Sequence, residues 1–195
     1  MIKNEQLLSD QVSSEEIDII LREYGKTYDI AGDVTEFGCY VGTTSVFLAR
    51  HARPDKTVWL YDSFEGLPPK AVQDESPAGL QFQEGELHAT KKQLIANLRR
   101  YQVRNARIKK AWFNELTSGD VPGLISFAYL DGDYYHSVMD PLRLIEDRLA
   151  KGAMIVVDDY ANEALPGAAK AVDEWLVGRN VRLRIERSLA LIGPF

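Results

Sequence analysis

Short apolar runs alternate with stretches of helical periodicity along nearly the whole chain. That alternation limits the possible folds more than any other feature of the sequence. Ser13 followed by Glu16 reads as a capping box. Ile17, Ile20, Leu21 and Tyr24 then recur at helical spacing, which predicts an amphipathic helix over about 14–28. A strand at 33–38, a helix at 43–51 and a strand at 57–62 follow. After them come a helix at 91–101, strands at 106–110 and 125–130, a helix at 138–150, a strand at 153–158 and a helix at 167–177. Two short strands, in VRLRIER and LALIGP, close the chain. Strands alternating with helices imply βαβ units and a mostly parallel sheet. AMIVVD and ISFAYL are apolar throughout, as strands buried on both faces are. The last two strands are separated by little more than Ser188, which allows a hairpin and forbids a parallel crossover. The expectation is one α/β domain over 1–195. It has an N-terminal helical segment at about 1–30, helices on both faces, and a seven-stranded, mostly parallel sheet with one antiparallel strand at or near an edge.

One stretch breaks the rhythm. Residues 63–89 carry three prolines and three glycines and have no clear period. A loop this long in a compact domain is often a lid or binding loop, and Phe64, Leu67, Leu80 and Phe82 suggest that it packs on something. Composition narrows the function classes. A net charge of -6 and a pI near 5.2 argue against a nucleic-acid surface, which needs a basic patch. Cys39 is the single cysteine, so no internal disulfide forms. The polar, acidic start lacks the pattern of a signal peptide, and no apolar run approaches the ~20 residues of a membrane span. A cytoplasmic protein without membrane or nucleic-acid partners is expected, with a homodimer as the default assembly.

Ligands of open α/β sheets bind at the carboxyl ends of the strands. Here those ends carry Glu36, Asp62, Asp131 and Asp158. Clustered carboxylates repel one another unless they meet hydrogen-bond donors, cations or a metal. Glu36 opens E-x-G-x-x-x-G, in which Gly38 is read as letting a ligand approach the backbone and Gly42 as serving a tight turn at the helix start. The dinucleotide fingerprint G-x-G-x-x-G is absent. An acid before the first glycine disfavours a pyrophosphate and suits an ammonium group, such as that of S-adenosylmethionine. Asp62, twenty residues past Gly42, is placed to accept from ribose hydroxyls. The second constellation is LDGD (130–133) with VDDY (157–160) on the next strand. Neighbouring parallel strands lie about 4.8 Å apart, so carboxylates at their ends can share one ion. Oxygen ligands with room for water and substrate suit magnesium or manganese. As a plain alternative, DG and DDY serve as turns and caps.

At these residues the chain resembles the macrocin O-methyltransferase family of sugar O-methyltransferases. The likeness is carried by EFGCYVGTTS (36–45), YDSFEGLP (61–68), AWFNEL (111–116), LDGDYYHSVMDPL (130–142), KGAMIVVDDY (151–160) and PGAAKAVDEW (166–175), in family order. The chain departs from the family at Ala111 and at Asn114-Glu115-Leu116, where glycine and Asp-Thr-Leu are usual. The resemblance implies a Rossmann-like class I methyltransferase fold and S-adenosylmethionine as donor. It also implies magnesium or manganese held by Asp131, Asp158 and Asp159, with Asp133 as the base. The expected donor-binding set is Glu36, Gly38, Tyr40, Gly42, Thr43, Asp62, Ser63, Trp112 and Asp131. His136 and His88 are reserve candidates for the base, and His51 reads as a helix C-terminal cation. Trp112 and Phe113 flank adenine on this reading, or else pack in the core. The expected acceptor is a sugar or glycoside hydroxyl; the alternatives are a phenol or catechol, or donor binding without catalysis.

Overall fold

The computed structural model describes residues 7–195. Its elements are α1 (Ser14–Lys26), β1 (Asp33–Phe37), α2 (Thr43–His51), β2 (Val58–Asp62), α3 (Lys91–Arg100) and β3 (Ala106–Lys110). They continue with β4 (Ile125–Leu130), α4 (Tyr135–Ile145), β5 (Leu149–Val157), α5 (Pro166–Leu176), β6 (Leu183–Glu186) and β7 (Leu189–Ile192). The strands form one sheet in the order β3-β2-β1-β4-β5-β7-β6. β1 to β5 pair in parallel, and β7 runs antiparallel to both β5 and β6. The predicted antiparallel strand is therefore β7, one place in from the edge. Among the described residues no helix is long and apolar enough to cross a membrane.

Side chains of a strand alternate between faces, and the sheet builds one core on each. Val34, Leu60, Phe127, Tyr129, Val156 and Leu191 pack with α1, α2 and α3. Phe37, Leu130, Ile155, Val157 and Ile192 pack with α4 and α5. This two-sided burial is why β4 and β5 read as unbroken apolar runs.

Three boundaries differ from expectation. α1 begins at the predicted capping box, with Ser13 and Glu16 bonding reciprocally, but it stops at Lys26. Of the predicted helical segment at 1–30, residues 1–6 lie outside the described residues and residues 7–13 are not helical. α4 starts at Tyr135 instead of 138, because the distant carboxylate of Asp74 accepts from the Tyr135 N–H at 2.7 Å. It ends at Ile145, and Leu149, expected to be helical, opens β5 opposite Ile125.

Residues 63–89 do pack. Phe64 and Leu67 are buried, and Leu67 joins Tyr134, Leu165, Phe82 and Leu87 in a small apolar cluster. Leu80 does not, being 72% exposed. Asp74, 2% exposed, caps its own 3-10 turn through the Ala71 N–H and the start of α4 through Tyr135. Lys170 donates to the Gln73 carbonyl and Ser76 to that of Glu163. The loop is thereby fastened to α4 and to the start of α5.

Candidate active site

β1, β2, β4 and β5 all end on one side of a cavity of about 850 Å³. Its lining includes Gly38 and Tyr40 from the first turn, Asp62 and Ser63 after β2, Trp112 and Phe113 after β3, and Asp131, Asp133, His136, Asp158 and Asp159. Strand ends meeting around one hollow is the arrangement expected of this sheet class. Glu36, Gly42 and Thr43 stand behind that wall. His88 is exposed and does not line the cavity.

The first turn is tighter than its sequence suggests. Gly38 has φ +88°, and a Cβ there would stand 1.8 Å from the Asp131 carbonyl oxygen. The direction a side chain would take is filled by the backbone just after β4, while Gly38 itself still lines the cavity. Gly38 therefore joins β1 to β4, and the Asp131 N–H bonds back to the Phe37 carbonyl at 2.8 Å. Gly42 has φ +92° at the start of α2, the tight turn expected of it. Asp62 holds the turn closed: Oδ2 accepts from the N–H groups of Cys39 (2.7 Å) and Tyr40 (2.9 Å), and Oδ1 accepts from Phe64 (2.7 Å). A carboxylate offers about four lone-pair sites, so little of Asp62 is left over for ribose hydroxyls. Cys39 is buried in the same turn, where burial pushes its thiol well up, as suits a small packing residue and not a nucleophile.

Glu36 is 1% exposed. Burial pushes its carboxyl up to about 8; the Ser45 hydroxyl offsets part of this, and the Asp62 charge adds to it. Its Oε2 meets no hydrogen-bond donor among the described residues. A buried acceptor without a donor marks where a cationic or N–H-bearing ligand group gains most.

The second constellation is an acid cluster. Oxygens of Asp131, Asp133 and Asp159 lie within 4.8 Å of one another. Oxygens around one octahedral ion at about 2.1 Å lie roughly 3–4 Å apart, so the trio needs only slight closure to fit one. Asp133 (φ +61°) and Asp159 (φ +57°) both take the left-handed backbone, a strain that clusters at functional sites. Burial first, and then the charge of its neighbours led by Asp158, pushes the Asp131 carboxyl well up. Asp133 is raised in the same way, with Asp159 as its leading neighbour, and Asp159 reaches about 7. A proton or a divalent cation among these oxygens would relieve the crowding of like charge.

This grouping differs from the expected ligand set. Asp133, expected to act as a base, enters the trio. Asp158 stands beside the trio with its carboxylate engaged: Oδ2 accepts from the Tyr129 hydroxyl at 2.6 Å, and Oδ1 lies 2.8 Å from the Asp159 N–H and 3.1 Å from the Ser188 hydroxyl. Ser188 also lies 3.0 Å from Glu16, so the cap of α1 reaches the cluster. Asn162 donates to Asp159 at 2.8 Å.

Several lining residues escape the sequence reading. Asp10, Gln11, Glu16, Asn162, Arg187 and Ser188 all face the cavity. Glu16 is legible only as a cap. One signal was present at Arg187-Ser188. These two residues make the whole β6–β7 turn, with φ +56° at Arg187, where glycine or asparagine is usual. Phe113 meets Phe37 edge to face at 5.6 Å and so packs in the core as well as lining the cavity. His51 bonds the Phe47 carbonyl at the end of α2, as expected of a C-terminal histidine.

The model of the family described as Macrocin-O-methyltransferase (TylF) matches residues 18–188. The 8-demethyl-8-(2,3-dimethoxy-alpha-L-rhamnosyl)-tetracenomycin-C 4'-O-methyltransferase of Streptomyces olivaceus is 31% identical over 144 residues, 69% of this chain and 55% of that one. The mycinamicin III 3''-O-methyltransferase of Micromonospora griseorubida is 28% identical over 158 residues, 75% of this chain and 61% of that one. The chain thus spans a little over half the length of these relatives. Among solved structures, the O-methyltransferase NovP superposes with a TM-score of 0.75 at 24% identity, over 91% of this chain and 77% of that one. The calicheamicin methyltransferase CalS11 superposes with a TM-score of 0.78 at 19% identity, over 91% and 78%. At these identities the superpositions speak for the fold.

Proposed function

The chain belongs to the macrocin-O-methyltransferase (TylF) family, and from that premise we propose that it transfers a methyl group from S-adenosylmethionine to a hydroxyl of a sugar or glycoside, with a divalent cation at its aspartates. The observation that carries this reading is the trio Asp131, Asp133 and Asp159 in the same cavity as the Gly38 turn, Asp62 and Trp112. The relatives' names, which specify hydroxyls on sugar-bearing antibiotics, support the acceptor class.

Methyl transfer is an in-line displacement: the new oxygen–carbon bond forms as the carbon–sulfur bond breaks, and the hydroxyl proton must leave. The site must hold oxygen about 3 Å from the methyl carbon, opposite the sulfur. Asp62 fixes the turn against which the donor lies, and the unpartnered Oε2 of Glu36, just behind that turn, is the acceptor assigned to the donor's ammonium group. Trp112 offers a flat apolar wall for the adenine. Asp131, Asp133 and Asp159 would hold the cation, with Asp158 stiffening them from behind. When bound there, magnesium or manganese would supply Lewis acidity toward the acceptor hydroxyl. With Asp133 committed to the trio, His136, at the second position of α4, is the cavity-lining imidazole left to take the proton.

Calorimetric titration with S-adenosylhomocysteine, followed by magnesium chloride, tests the two sites separately. Saturable binding of both, with NAD giving no heat, is expected. Failure of S-adenosylhomocysteine to bind would overturn the reading.

A further inference from the structure

Asp131 and Asp158 end adjacent parallel strands, with Leu130 opposite Val157 and the Asp158 N–H bonded to the Leu130 carbonyl at 2.8 Å. Two like charges so placed push their strand ends apart. Tyr129 lies two residues before Asp131 and on the same face of β4. Its ring is completely buried, packed with Phe127, Val156 and Leu189 beneath α1 and α2. Its hydroxyl comes up between the two carboxylates, 2.6 Å from Asp158 Oδ2 and 3.3 Å from Asp131 Oδ2. A phenol has one proton. The shorter contact takes it, as a charge-assisted bond, and leaves the phenol oxygen seated against Asp131.

Resting on the metal reading above, we infer that Tyr129 is a positioning residue for the cation site. Its hydroxyl sets the rotamer of Asp158 and the gap between Asp158 and Asp131. The fixed Asp158 then accepts the Asp159 N–H. That bond supports the left-handed turn that sends the Asp159 carboxylate toward Asp131 and Asp133. Ser188 reaches the same Asp158 carboxylate from the β6–β7 turn, so each of its two oxygens has a hydroxyl support. Partners that orient metal-binding carboxylates typically change affinity 10- to 100-fold when removed.

Tyr129→Phe deletes one oxygen and keeps the ring that fills the core. Magnesium chloride is titrated calorimetrically into wild type and variant, each saturated with S-adenosylhomocysteine. Melting curves with chelator and the affinity for S-adenosylhomocysteine in chelator report the fold. The expected result is magnesium affinity weaker by roughly 10- to 100-fold, with S-adenosylhomocysteine affinity in chelator within about twofold of wild type. A tyrosine that merely fills the core would leave magnesium affinity unchanged, or lower both affinities in proportion. Either outcome overturns the inference. If wild type binds no magnesium, the metal reading and this inference fall together; if wild type binds and Tyr129→Phe binds equally well, only this inference falls. Should Tyr129→Phe fail to fold, Ser188→Ala removes the second support at a shallower position. It is expected to weaken magnesium by about 10-fold, the lower end of the range, and unchanged affinity there overturns the inference.

Discussion

Asp62 accepts three backbone N–H groups, and this gives a cavity-lining residue a measurable structural role. Hydrogen bonds to a charged group contribute about 1.5–3 kcal/mol each, with losses that overlap when they share one side chain. Asp62→Ala should lower the unfolding free energy by roughly 3 kcal/mol in urea titrations and abolish S-adenosylhomocysteine binding. A loss below about 1 kcal/mol would mean that the turn holds without it. Glu36 gives a pH test. Its folded carboxyl is raised by burial to about 8 from an ordinary value of 4.5. The folded state therefore prefers the protonated form, and the stability this preference adds is present in full below about pH 4.5. It is lost as pH rises through about 8. Glu36→Gln cannot ionise, so its stability relative to wild type should rise from pH 5 to about pH 8 and level off above it in ligand-free protein. A difference that stays constant with pH would contradict the burial of an ionisable group there. At this scale the sequence locates the acids correctly, because strand ends are legible from apolar runs. What each acid binds is not legible: Asp62 meets its partners only after β1 and β2 pair, and Asp158 meets Tyr129 and Ser188 only after β4, β5 and β7 assemble.

Among the elements, the loop at 63–89 departs furthest from a sequence pattern and is the part most open to test. Its lack of period follows from how it is held: by Asp74 bonding to Ala71 and Tyr135, by Lys170 and Ser76, and by the Leu67 cluster. None of these contacts repeats along the chain, so no periodicity can announce them. The same contacts explain why α4 starts a turn early, since its first N–H group finds a capping carboxylate sixty-one residues upstream. Asp74→Ala leaves two buried N–H groups without that partner, at a cost of about 2 kcal/mol. Limited proteolysis should then cut within residues 70–89 many times faster than in wild type, and donor plus magnesium should slow the cleavage in both proteins. Cleavage equally fast in wild type and variant would show that Asp74 does not fasten the loop.

For the molecule as a whole, the sheet brings together parts that are far apart in the chain. The Gly38 turn, the third-strand Trp112, the acids of β4 and β5, the cap of α1 and the β6–β7 turn all face one cavity. Strand alternation, the antiparallel β7 and the rim of acids are legible because each follows from local apolar pattern and spacing. The contributions of Glu16, Asn162, Arg187 and Ser188 depend on topology, which places α1 and the C-terminal hairpin over the same strand ends. The proposed reaction joins a methyl donor to a hydroxyl at this rim with the help of a divalent cation. Transfer of labelled methyl from S-adenosylmethionine to a panel of deoxysugar glycosides, with magnesium and with excess chelator, puts it to the test. The expected outcome is a singly O-methylated glycoside with magnesium, no product with chelator, and recovery when magnesium or manganese is returned. Equal turnover in chelator would contradict the role given to Asp131, Asp133 and Asp159.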